Sequence, residues 1–270
     1  MKGTSEASRD AVLATFDPVA TAAGKDALTI AEQLYSAVDV LDSSGSLRRA
    51  LTDPARPGHD KAELVEALFG SFDSRAVDVL KDFVHARWSA DADLAESIEF
   101  AGAHALFAYA EVDGKLGDVE EELFHVERSL SANRDLVVAM SNRSATKAMR
   151  LQVFEDVFGG KLSVVTHAML ARAVGVPRGR RLVPTIELLL EAAARRRDRQ
   201  IANVTAAVEL SAAQRTRLAS ILKSAYGREI QINATVDPTV IGGIRVQVGA
   251  EVVDGTVLAR LDDARRRLVG

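Results

Sequence analysis

The chain has 270 residues, with 34 Lys and Arg against 38 Asp and Glu, a net charge of −4. That balance lacks the concentrated positive charge of a general nucleic-acid binder. The absence of cysteine excludes disulfides, thiolate nucleophiles, zinc fingers and iron–sulfur ligation. The N-terminus, Met1 to Glu6, has no apolar core of a secretory signal, and no apolar run approaches the roughly 18–20 residues of a membrane span. These features point to a soluble chain able to dock on a membrane complex.

Residues 1–200 read as helix after helix. Thr29 and Glu32 have capping-box spacing, and Leu34, Ala37, Val38 and Leu41 step by three and four along one face. The segment Asp53 to Gly58, with Pro54 and Pro57, predicts a loop. Further stripes follow at Leu64, Ala67, Leu68, then Val77, Leu80, Val84, then Leu123, Val126, Leu130, and then Leu136, Met140. Sliding the chain by 89 residues aligns 30–70 with 119–159 without a gap, with 8 identities in 41 positions, among them Leu34/Leu123, Leu41/Leu130 and Gly70/Gly159. The register holds through the loop, which predicts two copies of a small helical domain, since solenoid units are usually shorter.

Near 198 the period changes. Val204, Ala206 and Val208 alternate as in a strand, and Ser211 and Gln214 form a second capping box. Leu218, Ile221, Leu222 and Ala225 predict a helix stopped at Gly227. Two more alternating runs, Ile230 to Val236 and Ile244 to Val248, precede a last helical stripe at Val253, Val257, Leu261, Ala264 and Leu268. The order β-α-β-β-α predicts a small α+β domain, joined to the helices through Arg195 to Gln200. The fold class expected is mainly α, two tandem helical bundles followed by a small C-terminal α+β domain.

The chemistry is sparse. The five histidines, His59, His85, His104, His125 and His167, have no metal-ligand spacing. No dinucleotide, P-loop or nucleophile-elbow motif occurs. Gly242-Gly243 precedes a strand rather than a helix, so it reads as a turn or a close backbone approach, not a phosphate cradle. Glu120 to Glu122 and Asp262-Asp263 read as solvated helix faces, Arg265 to Arg267 as a complement to the helix dipole or a contact for an acidic partner, and Trp88 as packing, with a partner-facing role as the alternative. By its residues alone this is a helical interaction protein with an α+β appendage, needing no cofactor. A free-standing adaptor or chaperone-like module stays open.

The run Val236 to Gly249, with Gly242-Gly243 inside it, followed by Glu251-Val252-Val253-Asp254-Gly255-Thr256-Val257 and Arg260-Leu261, resembles the signature of the ATP synthase delta subunit family, which includes the oligomycin-sensitivity-conferral protein. Upstream, Ala103 to Glu111 resembles the family's first helix, with Gly102 where its pattern Tyr-Ala-x-Ala-Leu-Phe has tyrosine. The resemblance covers roughly 97–270. It implies an extra helical domain at 1–96, a family-type bundle at 97–197 and a stalk-binding α+β domain at 198–270, similar to the lengthened actinobacterial form. This chain lacks the membrane anchor and long charged helix of the fused variants, so the b partner is expected to be a separate chain.

The resemblance further implies no catalysis. It implies a single-copy subunit on the cytoplasmic face of the membrane that joins the catalytic head to the peripheral stalk and resists rotor torque during proton-driven synthesis. The family's groove takes the N-terminal helices of alpha subunits, and its α+β domain takes the C-terminal end of b. The expected alpha-subunit contacts are Ala103, Leu106 and Ala110, with Leu170 and Val174 on the paired helix. The expected b contacts are Val257, Leu258, Leu261 and Leu268. Core packing is the competing role for Leu106, Leu170, Val257 and Leu261. Gly242, Gly243, Gly249, Asp254 and Gly255 are expected structural turn residues.

Overall fold

The computed structural model describes residues 3–198, 201–226, 230–240, 242–248 and 251–256. Eleven helices come first: α1 Gly3–Ala22, α2 Ala27–Ser43, α3 Gly45–Thr52, α4 Gly58–Phe69, α5 Ser74–His85, α6 Asp91–Val112, α7 Leu116–Ala132, α8 Arg134–Ser141, α9 Lys147–Phe158, α10 Val164–Gly175 and α11 Leu182–Asp198. Then come β1 Ile201–Ala206, α12 Ala212–Tyr226, β2 Gln231–Val236, β3 Ile244–Val248 and β4 Glu251–Asp254. The chain is mainly helical with a small C-terminal sheet, as its periodicities imply. It forms two compact units that divide between Leu190 and Glu191, inside α11.

The repeat is visible in the helix boundaries. An offset of 89 carries α2 onto α7, α3 onto α8 and α4 onto α9, and an offset of 90 carries α5 onto α10. The caps repeat as well. Ser44 Oγ accepts from the Leu47 amide and Asn133 Oδ1 from the Leu136 amide, each at 3.3 Å. The Gln33 side chain accepts from the Asp73 amide at 2.9 Å, and its counterpart Glu122 accepts from the Ser163 amide at 3.0 Å. These bonds satisfy amide groups that a helix start leaves without intrahelical partners.

Both copies share α6. It closes the first copy and opens the second, so the position 96/97 falls inside a single 22-residue helix of about 33 Å. Leu94, Ala95, Ile98, Ala101, Ala105, Leu106, Phe107 and Ala108 are all buried, which makes α6 apolar around most of its circumference. Such a helix is stable only at the centre of a body, and α1, α2, α3, α5 and α10 pack along it.

Several sequence expectations need correction. The capping-box pair Thr29 and Glu32 lies inside α2, which starts at Ala27 after a 3-10 turn at Gly24–Asp26. In α4 the core face is Lys61, Val65 and Phe69, whereas Ala67 and Leu68 are exposed. Val208 lies beyond β1, and Ile221 faces outward from α12. Val253 belongs to β4, not to a helix. Gly227, Gly249, Val257, Leu258, Leu261, Ala264 and Leu268 lie outside the described residues.

In the second unit the strand order is β2-β1-β3-β4, with β1 parallel to β2 through the α12 crossover and antiparallel to β3. The capping box at α12 is formed: the Ser211 amide donates to the Gln214 side chain at 2.8 Å, and Ser211 Oγ accepts from the Gln214 amide at 3.3 Å. Alternation places Ala202, Val204, Val246 and Val248 on one face against Leu222 and Ile230.

Gly243, at φ 82°, leads into β3, and a Cβ built there would lie 2.4 Å from the Gly255 carbonyl oxygen. The Gly255 amide donates to the Ile244 carbonyl at 3.0 Å. The Asp254 carboxylate accepts from the Thr256 amide at 3.0 Å and from Arg245. The Thr256 hydrogen bonds, with Arg245, hold its carboxyl below the usual aspartate range. The Gly-Gly and Asp-Gly-Thr segments are therefore two sides of one staple across the β3–β4 end. Gly243→Val combines an unfavourable φ with a backbone clash and should cost at least about 3 kcal/mol. Amide hydrogen exchange on the whole chain should show β1, β3 and β4 losing protection while α2 and α6 keep theirs. Unchanged strand protection would contradict this account of the staple.

Candidate functional site

A cleft of about 50 Å³ opens between α6, α10 and α11, with α2 at its edge. Phe100 and Ala103 line it from α6, Met169 and Ala173 from α10, and Leu188 and Leu189 from α11. Ala103 and Ala173 are small, which lets an incoming backbone approach. Leu188 is half exposed, whereas Met169 is buried. The first copy places the fully buried Phe83 at the position of Ala173, 90 residues earlier, and Trp88 packs beside it, its indole N–H donating to the Phe83 carbonyl at 2.9 Å.

The polar end of the cleft is an ion network. Glu99, only 10% exposed, accepts from Arg172 Nε at 3.1 Å, from Arg178 Nη1 at 3.2 Å and from Arg180. Asp39 of α2 pairs with Arg172 at 2.6 Å, and Asp42 of α2 pairs with Arg178 at 2.6 Å. Arg178 sits at φ 49°, an uncommon conformation for a residue with a Cβ, and its two carboxylate partners hold it there. A carboxylate so enclosed is tolerable only with cations around it.

Gly102 has a direct explanation. The ring of Tyr35, on α2, lies across it, and a Cβ at 102 would come within 2.6 Å of Tyr35 Cε1. A tyrosine of the first repeat therefore lies against the position where this chain has glycine. The Arg172 guanidinium stacks over the same ring at 5.0 Å. Burial raises the Tyr35 hydroxyl above the ordinary tyrosine range, against the opposing pull of Arg172 and Arg180.

Of the expected alpha-subunit contacts, Ala103 lines this cleft. Leu106, Ala110, Leu170 and Val174 are buried within the chain, none more than 2% exposed. On α10 the lining residues Met169 and Ala173 are four apart, one position round from Leu170 and Val174, and Val176 follows just past the helix end. Both stripes are apolar, so periodicity alone does not separate the core face from the cleft face. Phe100, Met169, Ala173 and Leu188 were missed for that reason, and Glu99, Arg172 and Tyr35 because their meeting is long-range.

The expected b contacts fall outside the described residues, as does Gly249. Among the described residues no group of three or more His, Asp or Glu is arranged to hold a metal ion, and no helix is long and apolar enough to cross a membrane. Gly102→Ala should cost about 1–3 kcal/mol by displacing Tyr35. The same change in a Tyr35→Ala background should cost little. Thermal melts of the four variants measure the coupling, and additive effects would mean that the two positions do not share this space.

The family model described as "ATP synthase delta (OSCP) subunit" matches residues 101–268. The chain is 48% identical over 271 residues to "ATP synthase subunit delta" of Beutenbergia cavernae, covering 100% of both chains. It is 42% identical to the protein of the same name from Streptomyces avermitilis, over 97% of each. A chain of the solved mitochondrial ATP synthase hexamer of Toxoplasma gondii aligns over 62% of this chain and 95% of its own, with 20% identity and a TM-score of 0.33. From the family match and the full-length relatives, the chain belongs to the ATP synthase delta (OSCP) subunit family.

Proposed function

We propose that this chain ties the catalytic alpha/beta head of an F-type ATP synthase to the b subunit of its peripheral stalk, on the cytoplasmic face of the membrane, and resists rotor torque there. Its family is one of structural subunits rather than catalysts. The observation that carries the reading is the open, mainly apolar cleft between α6 and α10, held on a helical body. A groove of this kind suits the apolar face of an amphipathic helix. We assign the alpha-subunit N-terminal helix to it, through Ala103, Phe100, Ala173 and Leu188. Leu106, Ala110, Leu170 and Val174 act behind that surface, as the packing that shapes it.

In this reading the helical repeats carry the head contact and the α+β domain, from about residue 198, carries the stalk contact. Val257, Leu258, Leu261 and Leu268 are the proposed docking face for the C-terminal end of b. In this reading α6 supports torque resistance, since a helix buried on most sides bends only by disturbing both repeats.

Two substitutions separate the surfaces. Ala103→Glu should weaken binding of a synthetic alpha N-terminal peptide by about tenfold or more, the effect of about 1.4 kcal/mol, and leave b binding intact. Leu258→Glu should do the reverse. Titration calorimetry with the peptide, and co-purification with alpha, beta and b from native membranes, are the measurements. A tagged chain that brings down none of those subunits would overturn the assignment.

A further inference from the structure

We propose that Ala103 and Ala173 decide which of the two duplicated junctions takes a helix. The chain docks one amphipathic helix, in the second repeat, and the first repeat closes the matching junction with its own side chains. The cleft lies between α6, α10 and α11. Its counterpart in the first repeat is the junction of α1, α5 and α6. An offset of 90 carries α5 onto α10 and brings Gly24, at φ 57°, onto Gly114, at φ 70°, which fixes the same offset for α1 and α6. An offset of 88 carries Leu94 and Ile98 of α6 onto Leu182 and Ile186 of α11.

The two junctions share their core and differ at the cleft. Phe16, Ala20, Leu80 and Val84 match Leu106, Ala110, Leu170 and Val174, and all of them are buried. The two small residues that line the cleft do not repeat. Leu13, 7% exposed, stands where α6 has Ala103, and the fully buried Phe83 stands where α10 has Ala173. Leucine and phenylalanine fill the volume that a pair of alanines leaves for an incoming helix.

Further contacts seal the first junction. The rings of Trp88 and Phe83 have their centroids 6.1 Å apart. Ser5 of α1, fully buried, donates to the Asp93 carboxylate at 2.7 Å and accepts from the Ser89 amide at 2.8 Å. Ser8 Oγ donates to the Arg87 carbonyl at 2.8 Å, and the Arg9 guanidinium lies 5.2 Å over the Phe100 ring. These contacts tie α1 to α6 and to the segment that joins α5 to α6. On α6 the places of Ser5 and Ser8 are taken by Ala95 and Ile98, whose side chains form no hydrogen bonds. A helix seated on the first junction would have to expel Leu13 and Phe83 and break these bonds. At the second it meets alanine.

The inference rests on the cleft receiving the alpha N-terminal helix, and the test separates the two claims. A synthetic alpha N-terminal peptide is titrated into the full chain by calorimetry, and amide hydrogen exchange locates it. We expect one peptide per chain, with protection gained in α10 and α11 and none gained in α1 and α5. Ala103→Leu combined with Ala173→Phe copies the first junction into the second. We expect this double substitution to weaken binding by at least about tenfold and to leave no other site.

If the peptide does not bind the unaltered chain, the docking assignment itself fails, and this inference with it. Two peptides per chain, or protection gained in α1 and α5 beside α10 and α11, overturns this inference and leaves the docking assignment in place. So does a doubly substituted chain that binds within twofold of the unaltered one. Should the double substitution fail to fold by circular dichroism, the stoichiometry and exchange pattern of the unaltered chain decide.

Discussion

The burial of α6 is the constraint on which the helical body depends. Leu94 and Ile98 share one face of this helix while Phe107 lies on the far side from them, and all are enclosed. One helix therefore supplies core to both repeats. The alanines between these large residues, at 95, 101, 103, 105, 108 and 110, keep its profile narrow enough for neighbours on several sides. A duplication that reuses its middle helix cannot behave as two beads on a string. Both copies draw core residues from α6, and the chain up to Leu190 forms one compact unit.

That sharing also shapes the cleft. Here α2 lies across α6, Gly102 makes room, and Tyr35 fills it. The same helix brings Asp39 and Asp42 to Arg172 and Arg178, and Glu99 joins three guanidinium groups beneath. Such a cluster has a large desolvation cost, and what it supplies in return is fixed geometry. The first repeat thus reinforces the surface that the second presents, while its own Phe83 occupies the place of Ala173.

The C-terminal unit uses a different device. Its sheet is small, and the β3–β4 end is held by main-chain contact at Gly243 and Gly255 and by the Asp254 carboxylate. The most recognisable stretch of the chain is therefore explained by backbone geometry rather than by chemistry. A motif can be highly specific to a family and still contain no reactive group.

The sequence by itself determined the fold class, the repeat with its register, the absence of cysteine chemistry, a strand through Val204 and Ala206 whose ends it misplaced, and the strands near 230–236 and 244–248. These are local or periodic properties: a 3.6-residue stripe, a two-residue alternation, a capping pair such as Ser211 and Gln214. It also singled out Gly102 and Gly243, since a missing Cβ is visible as a letter. What only the tertiary structure decided was which of two apolar stripes on α10 faces the core, why Gly102 is glycine, and where β4 replaces a helix at Val253. The physical reason is common to all three. Ala173 and Val174 are both apolar, yet Ala173 lines the cleft and Val174 is buried, and that difference depends on what the neighbouring helices bring opposite them. Tyr35 and Gly102 meet across 67 positions of sequence, and so do Arg172 and Asp39 across 133. No local pattern encodes a contact between helices that the fold alone makes neighbours.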